Sequence, residues 1–133
     1  MLVIKSYIEK SDIEGLGCFS AQKIEKGDII WFLDPSIDQV FTEDDFKDLL
    51  RSQEEEHSSR FKKWAYKRGN NYILCADNAK FFNHSENPNC DDDNDLYTLA
   101  SRDIEIGEEI TCDYKKICDI SVLNKGELYN KKK

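Results

Sequence analysis

The sequence predicts a strand-rich α+β domain that carries one helical insertion. Three observations point there. Apolar runs of strand length recur along the chain and outnumber helical patterns about two to one. Helical periodicity is confined to residues 42–68. No internal repeat, low-complexity linker or break in composition divides the 133 residues. They therefore read as one domain, 1–133, large enough to bury roughly two thirds of the surface an unfolded chain exposes.

Residues 2–8, rich in Leu, Val, Ile and Tyr, read as a strand, which Glu14-Gly15-Leu16-Gly17 ends with a tight turn. Such a turn lets main-chain amides approach a ligand with no Cβ in the way, and it serves equally as a hairpin or bulge. Cys18 to Ala21 forms a short strand candidate and Glu25-Lys26-Gly27-Asp28 a turn. Ile29 to Leu33 is a strand buried on both faces and ended by Asp34-Pro35, which makes three strands before any helix.

Thr42, with Asp45 three positions on, has the form of an N-cap, and Phe46, Leu49 and Leu50 follow at helical spacing, so residues 43–54 form an amphipathic helix. A second helix fits Ser59 to Tyr66, with Phe61, Trp64 and Ala65 turned inward as core, and Gly69-Asn70-Asn71 closes it. Tyr72 to Ala76, Leu96 to Ala100 and Ile110 to Cys112 are the remaining strands, the last preceded by a turn at Ile106-Gly107.

Charged residues make up 35% of the chain and the net charge is −8. Such a surface repels nucleic-acid phosphate and favours a basic, lysine-bearing protein or peptide as partner. The acidic run Asp91-Asp92-Asp93-Asn94-Asp95 is either a solvated turn or a rim that attracts lysine. Lys131-Lys132-Lys133 reads as a frayed tail. The five cysteines include no Cys-x-x-Cys pair, which argues against a zinc knuckle and against a disulfide framework and favours a reducing compartment. The apolar run Met1-Leu2-Val3-Ile4 is too short for a signal peptide or a membrane span. The expectation is a soluble intracellular protein, cytoplasmic or nuclear.

The chain is organised around Asp77 to Cys90. There Asn83-His84-Ser85 lies between an apolar pair, Phe81 and Phe82, and the rigid turn Glu86-Asn87-Pro88-Asn89. The aromatics anchor the backbone, so the triplet either presents amide, imidazole and hydroxyl groups to a ligand or satisfies the turn's own amides.

Three features stand in fixed order: Gly15-Leu16-Gly17-Cys18-Phe19, then Phe81 to Ser85 with Asn87-Pro88-Asn89, then Gly107-Glu108-Glu109-Ile110-Thr111-Cys112-Asp113-Tyr114. Together they resemble the SET domain of protein-lysine methyltransferases. That family combines a Gly-x-Gly turn, an Asn-His-Ser loop followed by Pro-Asn, and a Gly-Glu-Glu-Leu stretch ending in Asp-Tyr. The resemblance spans about residues 3–115. It implies a β-clip-like fold of small curved sheets with a C-terminal pseudoknot, a helical insertion at about 42–68 and a C-terminal tail at about 116–133.

The resemblance also implies S-adenosyl-L-methionine as cofactor, held by Gly15, Leu16, Gly17, Asn83 and His84, and Tyr114 as the catalytic residue beside the transferred methyl group. Tyr97 and Tyr129 are the alternatives to Tyr114. The implied activity is methylation of lysine in a histone-like or ribosomal protein. The alternative is a catalytically silent module of the same fold that binds peptide or assists assembly. That alternative draws on a departure, because Leu33-Asp34-Pro35 stands where the family often has Tyr-x-Gly. Many members also carry Cys after Asn-His-Ser and a cysteine-rich tail that share a zinc ion. Here that residue is Glu86 and the tail holds only Cys118, so no metal is expected. Residues 117–129 are then left to close the substrate channel, and substrate choice falls to the surface around the pore or to self-association as a homodimer.

Overall fold

The computed structural model describes residues 1–117. Cys118, Tyr129, the lysine tail and the expected channel-closing segment lie outside the described residues. Strands β1 (Ser6–Lys10) and β2 (Leu16–Ser20) form an antiparallel hairpin. Gly15 sits in its turn at φ +49°, a conformation that favours glycine. The first strand starts later than residues 2–8 suggested, because the segment before it joins another sheet. Leu2 bridges Trp31, and the Val3 amide donates to the Ile30 carbonyl at 3.0 Å.

That other sheet contains β3 (Ile29–Phe32), which pairs with β9 (Tyr97–Ala100), itself paired with β8 (Cys90–Asp91). Strand β3 is not buried on both faces, since Ile29 is 45% exposed. A register irregularity between Ile29 and Trp31 turns the consecutive residues Ile30 and Trp31 inward together.

Four strands precede the helices instead of three. Strand β4 (Gln39–Thr42) pairs with β6 (Asn71–Leu74), whose other edge takes β5 (Ala65–Arg68). The helices α1 (Glu43–Ser52) and α2 (Glu55–Trp64) are therefore an excursion between the two outer strands of one sheet. The Thr42 hydroxyl accepts the Asp45 amide at 3.1 Å, and three acids in the first turn complement the helix dipole. Phe46 is buried and stacks on Tyr72 with ring centroids 4.7 Å apart, forming a small second core. Helix α2 starts and ends earlier than Ser59 to Tyr66. Glu55 and Glu56 supply an acidic first turn, and Ala65 and Tyr66 pair with Leu74 and Ile73 across a hairpin turned at Gly69, φ +58°.

The central stretch opens with a 3-10 turn, Asn78–Phe81, capped by Asp77. It continues as β7 (Asn83–His84), which pairs in parallel with β10 (Thr111–Cys112). Helix α3 (Tyr114–Ile117) follows. Buried Asn89 fixes this crossing: its amide nitrogen donates to the Glu109 carbonyl at 2.8 Å and its oxygen accepts the Thr111 amide at 2.9 Å. On the far side of the same segment the Ile110 amide donates to the Cys18 carbonyl at 2.8 Å. Residues 108–114 are thus held by both the first hairpin and the 83–89 loop. The main core gathers Ile24, Ile30, Ile73, Ile104, Ile110 and Cys112 behind them.

Candidate active site

Asn83 and His84 leave β7 in opposite directions and do different work. The Asn83 amide nitrogen lies 3.1 Å from the carbonyls of Glu14 and Leu16 and 2.9 Å from Glu109 Oε2. It thereby binds the Gly-x-Gly turn to the loop. The Tyr114 amide donates to His84 Nδ1 at 3.0 Å. Because a main-chain N–H can only donate, Nδ1 carries a lone pair and the ring proton sits on Nε2, which faces Glu86 Oε1 at 3.2 Å. The hydrogen bond with His84, helped by the Lys115 ammonium 3.6 Å away, lowers the Glu86 carboxyl below its usual range. Tyr114 is 5% exposed, and its hydroxyl donates to the Phe82 carbonyl at 2.8 Å.

The two glycines of the turn are required for different reasons. Gly15 supplies the positive φ, and a Cβ there would meet nothing within 4 Å. A Cβ on Gly17 would stand 2.5 Å from Glu109 Oε2. Gly17 therefore leaves room for a carboxylate of the protein itself.

Leu16, Asn83 and Tyr114 meet at a cleft of about 260 Å³. Gly15, Gly17 and His84 stand outside its lining and act behind it. The opposite wall comes from α2, through Arg60, Lys63 and Trp64, and Lys80 and Phe81 complete it. Trp64 is thus a cleft residue and not the core residue its spacing suggested. Lys80 Nζ lies 5.3 Å from the Trp64 ring centroid and 5.4 Å from that of Phe81. Lys63 reaches across to Glu14 at 3.8 Å. Spacing could have found this wall, since residues 60, 63 and 64 share one helix face. Tyr97 lies on β9 opposite Phe32, outside the cleft.

Residues 15–115 match the family model of the SET domain. The chain belongs to the SET domain family. Among solved structures, its fold is similar to one from Plasmodium falciparum whose description proposes a histone methyltransferase. The identity is 23% and the TM-score 0.55, over 84% of this chain and 93% of that one. It is also similar to a Neurospora SET domain protein described as a histone lysine methyltransferase, with 18% identity and a TM-score of 0.60, over 85% of this chain. This chain spans 53% of the length of the Neurospora protein. No curated protein matches it.

The cleft of this SET domain suits S-adenosylmethionine in the chemistry of its donor set. Trp64 and Phe81 offer aromatic surface, Lys80 over those rings offers a cation to a carboxylate, Lys63 and Arg60 add positive charge already paired with Glu14 and Glu56, and Leu16 offers an apolar wall. For a metal the donors are poor. Among the described residues no group of three or more His, Cys, Asp or Glu side chains is placed to hold an ion. Burial pushes the Cys18 and Cys75 thiols up to about 12, so neither is readily a thiolate ligand. The acidic run is not simply a solvated turn or a rim. The Asp92 side chain is buried against Arg68 at 2.6 Å, Arg68 also donates to the Asn94 carbonyl at 2.8 Å, and Asp93 pairs with Lys116 at 2.6 Å. No helix among the described residues is long and apolar enough to cross a membrane.

Proposed function

We propose that this SET domain transfers a methyl group from S-adenosylmethionine to the side-chain amine of lysine in a basic protein substrate of the histone or ribosomal kind. The supporting observation is the meeting of Leu16, Asn83 and Tyr114 at one cleft whose far wall is aromatic and cationic. When bound, S-adenosylmethionine would supply a methyl group on a sulfonium, whose carbon a neutral amine can take in line as the S–C bond breaks and the neutral thioether leaves, with no acyl intermediate.

The protein's tasks are to align the amine and to keep it neutral. Free lysine has a pKa of about 10.4, so deprotonation near neutral pH costs on the order of 4 kcal/mol. The buried Phe82 at the cleft disfavours an ammonium and lowers that cost. The Tyr114 hydroxyl directs its hydrogen at the Phe82 carbonyl, so its oxygen lone pairs are what it can offer to the amine hydrogens. His84 is not the base, because its one lone pair is engaged by the Tyr114 amide. Its role is to hold Tyr114 in place. The net charge of −8 favours a basic substrate over a nucleic acid as partner of the chain as a whole.

The test is incubation with labelled S-adenosylmethionine and a proteome extract, followed by mass-spectrometric mapping of the label. Label on lysine, absent with a Tyr114→Phe control, is the expected result. No transfer to any protein above a control without the domain, with the domain folded, contradicts the proposal.

A further inference from the structure

We propose that Glu109 is a positioning residue that sets the spacing between the Gly15–Gly17 turn and Asn83, the two pieces of backbone that make one wall of the cleft. The inference rests on reading that cleft as the methyl-donor site.

Glu109 lies just before β10 and bridges Phe19 in β2. Its Oε1 accepts the Ser11 hydroxyl at 2.6 Å, and its Oε2 accepts the Asn83 amide at 2.9 Å. The same Oε2 occupies the space that a Cβ on Gly17 would need, at 2.5 Å. Ser11 organises the turn from within, since its oxygen takes the Ile13 amide at 2.9 Å. One carboxylate therefore joins three stretches of chain, at 11–17, at 83 and at 109. It faces a hydroxyl that already accepts a main-chain N–H, and an amide NH₂. Both neighbours are donors, and only an ionised carboxyl of this length offers two acceptor oxygens and no proton. Such charge-assisted bonds are about twice as strong as neutral ones. A glutamine would set its own NH₂ against one of the two donors. Gly17 then follows from Glu109: the residue has no side chain because the carboxylate stands in its place.

The experiment is a double-mutant cycle over wild type, Gly17→Ala, Glu109→Ala and the pair, with Glu109→Gln as the variant that keeps volume. Calorimetry measures S-adenosylmethionine affinity, melting measures the fold, and the Asn83 side-chain amide resonance reports the wall directly. Glu109→Gln should lower affinity about tenfold, the scale of one charged hydrogen bond, and shift the Asn83 resonance. Turnover at saturating cofactor should return to near the wild-type value, a split between affinity and rate that a general loss of stability would not give. Gly17→Ala should weaken binding in the wild-type background and cost clearly less once Glu109 is Ala, the remainder coming from the Ser11 Cβ 3.1 Å from the added methyl.

An equal loss from Gly17→Ala in both backgrounds would mean that Gly17 serves the ligand and that Glu109 does not set the wall. An unmoved Asn83 resonance in Glu109→Gln also overturns the proposal. Should the wild-type protein bind no S-adenosylmethionine, the reading of the cleft fails on its own. The cycle is then read in melting temperatures and in the Asn83 resonance, where coupling supports the positioning role and additivity refutes it.

Discussion

Replacing Tyr114 by Phe removes one hydroxyl from a residue that is 5% exposed and deprives the Phe82 carbonyl of a donor at 2.8 Å. The ring stays, with its contact to His84 at 5.4 Å between centroids, and so does the main-chain bond to His84 Nδ1. The stability cost is then that of one buried carbonyl left without this partner, about 1 to 2 kcal/mol. For a chain of this size that lowers the melting temperature by roughly 3–8 °C. Affinity for S-adenosylmethionine should change little, because the cleft's cations and aromatic faces are untouched. Turnover should fall about a hundredfold or more, the loss typical of one positioned hydrogen-bonding group. Differential scanning calorimetry, isothermal titration and single-turnover methylation of a lysine peptide measure the three separately. An unchanged melting temperature would refute the Tyr114–Phe82 bond. A folded, cofactor-binding variant with the wild-type rate would reduce Tyr114 to a wall residue.

Asn83→Ala removes the group that joins the carbonyls of Glu14 and Leu16 to Glu109, and calorimetry should show cofactor affinity lowered about tenfold or more; an unchanged value sinks the assignment. Cys18, Cys75, Cys90 and Cys112 are buried thiols, three of them raised by burial, so a Cys118→Ser variant should leave an aromatic disulfide reagent unreacted at pH 8 until it is unfolded. A fast thiol in the native protein would contradict this. The hydrogen bond to His84 lowers the Glu86 carboxyl, and that to Lys116 lowers Asp93. Depressed folded values mean that these ties contribute fully above the ordinary carboxylate pKa of about 4 and are lost as pH falls through the lowered values. Carboxyl-carbon NMR titrations of the two residues should therefore run below the ordinary range, and titration at ordinary values argues against the ties.

Features that announce themselves by local chemistry were legible in the sequence. Thr42 with Asp45 marked the start of α1 within a residue, Gly15 marked the first hairpin, and Asn83-His84 with Asp113-Tyr114 marked two segments that the fold does bring together, the Tyr114 amide on His84. Strands β7 and β8 were not legible, because two residues carry no period, whereas β10 falls within the expected strand Ile110 to Cys112 and only its parallel pairing with β7 was hidden. Strand β5 was hidden because Ala65 and Tyr66 continue the helical pattern, and only pairing with Leu74 and Ile73 decides their state. Trp64 has the spacing of a core residue, and whether a helix face meets core or cleft is settled by what packs opposite. Asp92 could not be told from its acidic neighbours, because its partner Arg68 is 24 residues away. Glu109 was visible as part of a motif, but its task depends on Ser11, Gly17 and Asn83, which meet it only in the folded chain.

The cleft between α2 and the glycine turn is the proposed seat of the methyl donor. Titrating S-adenosylmethionine into isotope-labelled protein and following amide and indole resonances tests this residue by residue. Saturable shifts at Leu16, Trp64, Lys80, Asn83 and Tyr114 are the expected result. No shift at millimolar cofactor, or shifts gathered instead at the groove of Lys47, Arg51 and Lys62 between the two long helices, would contradict it.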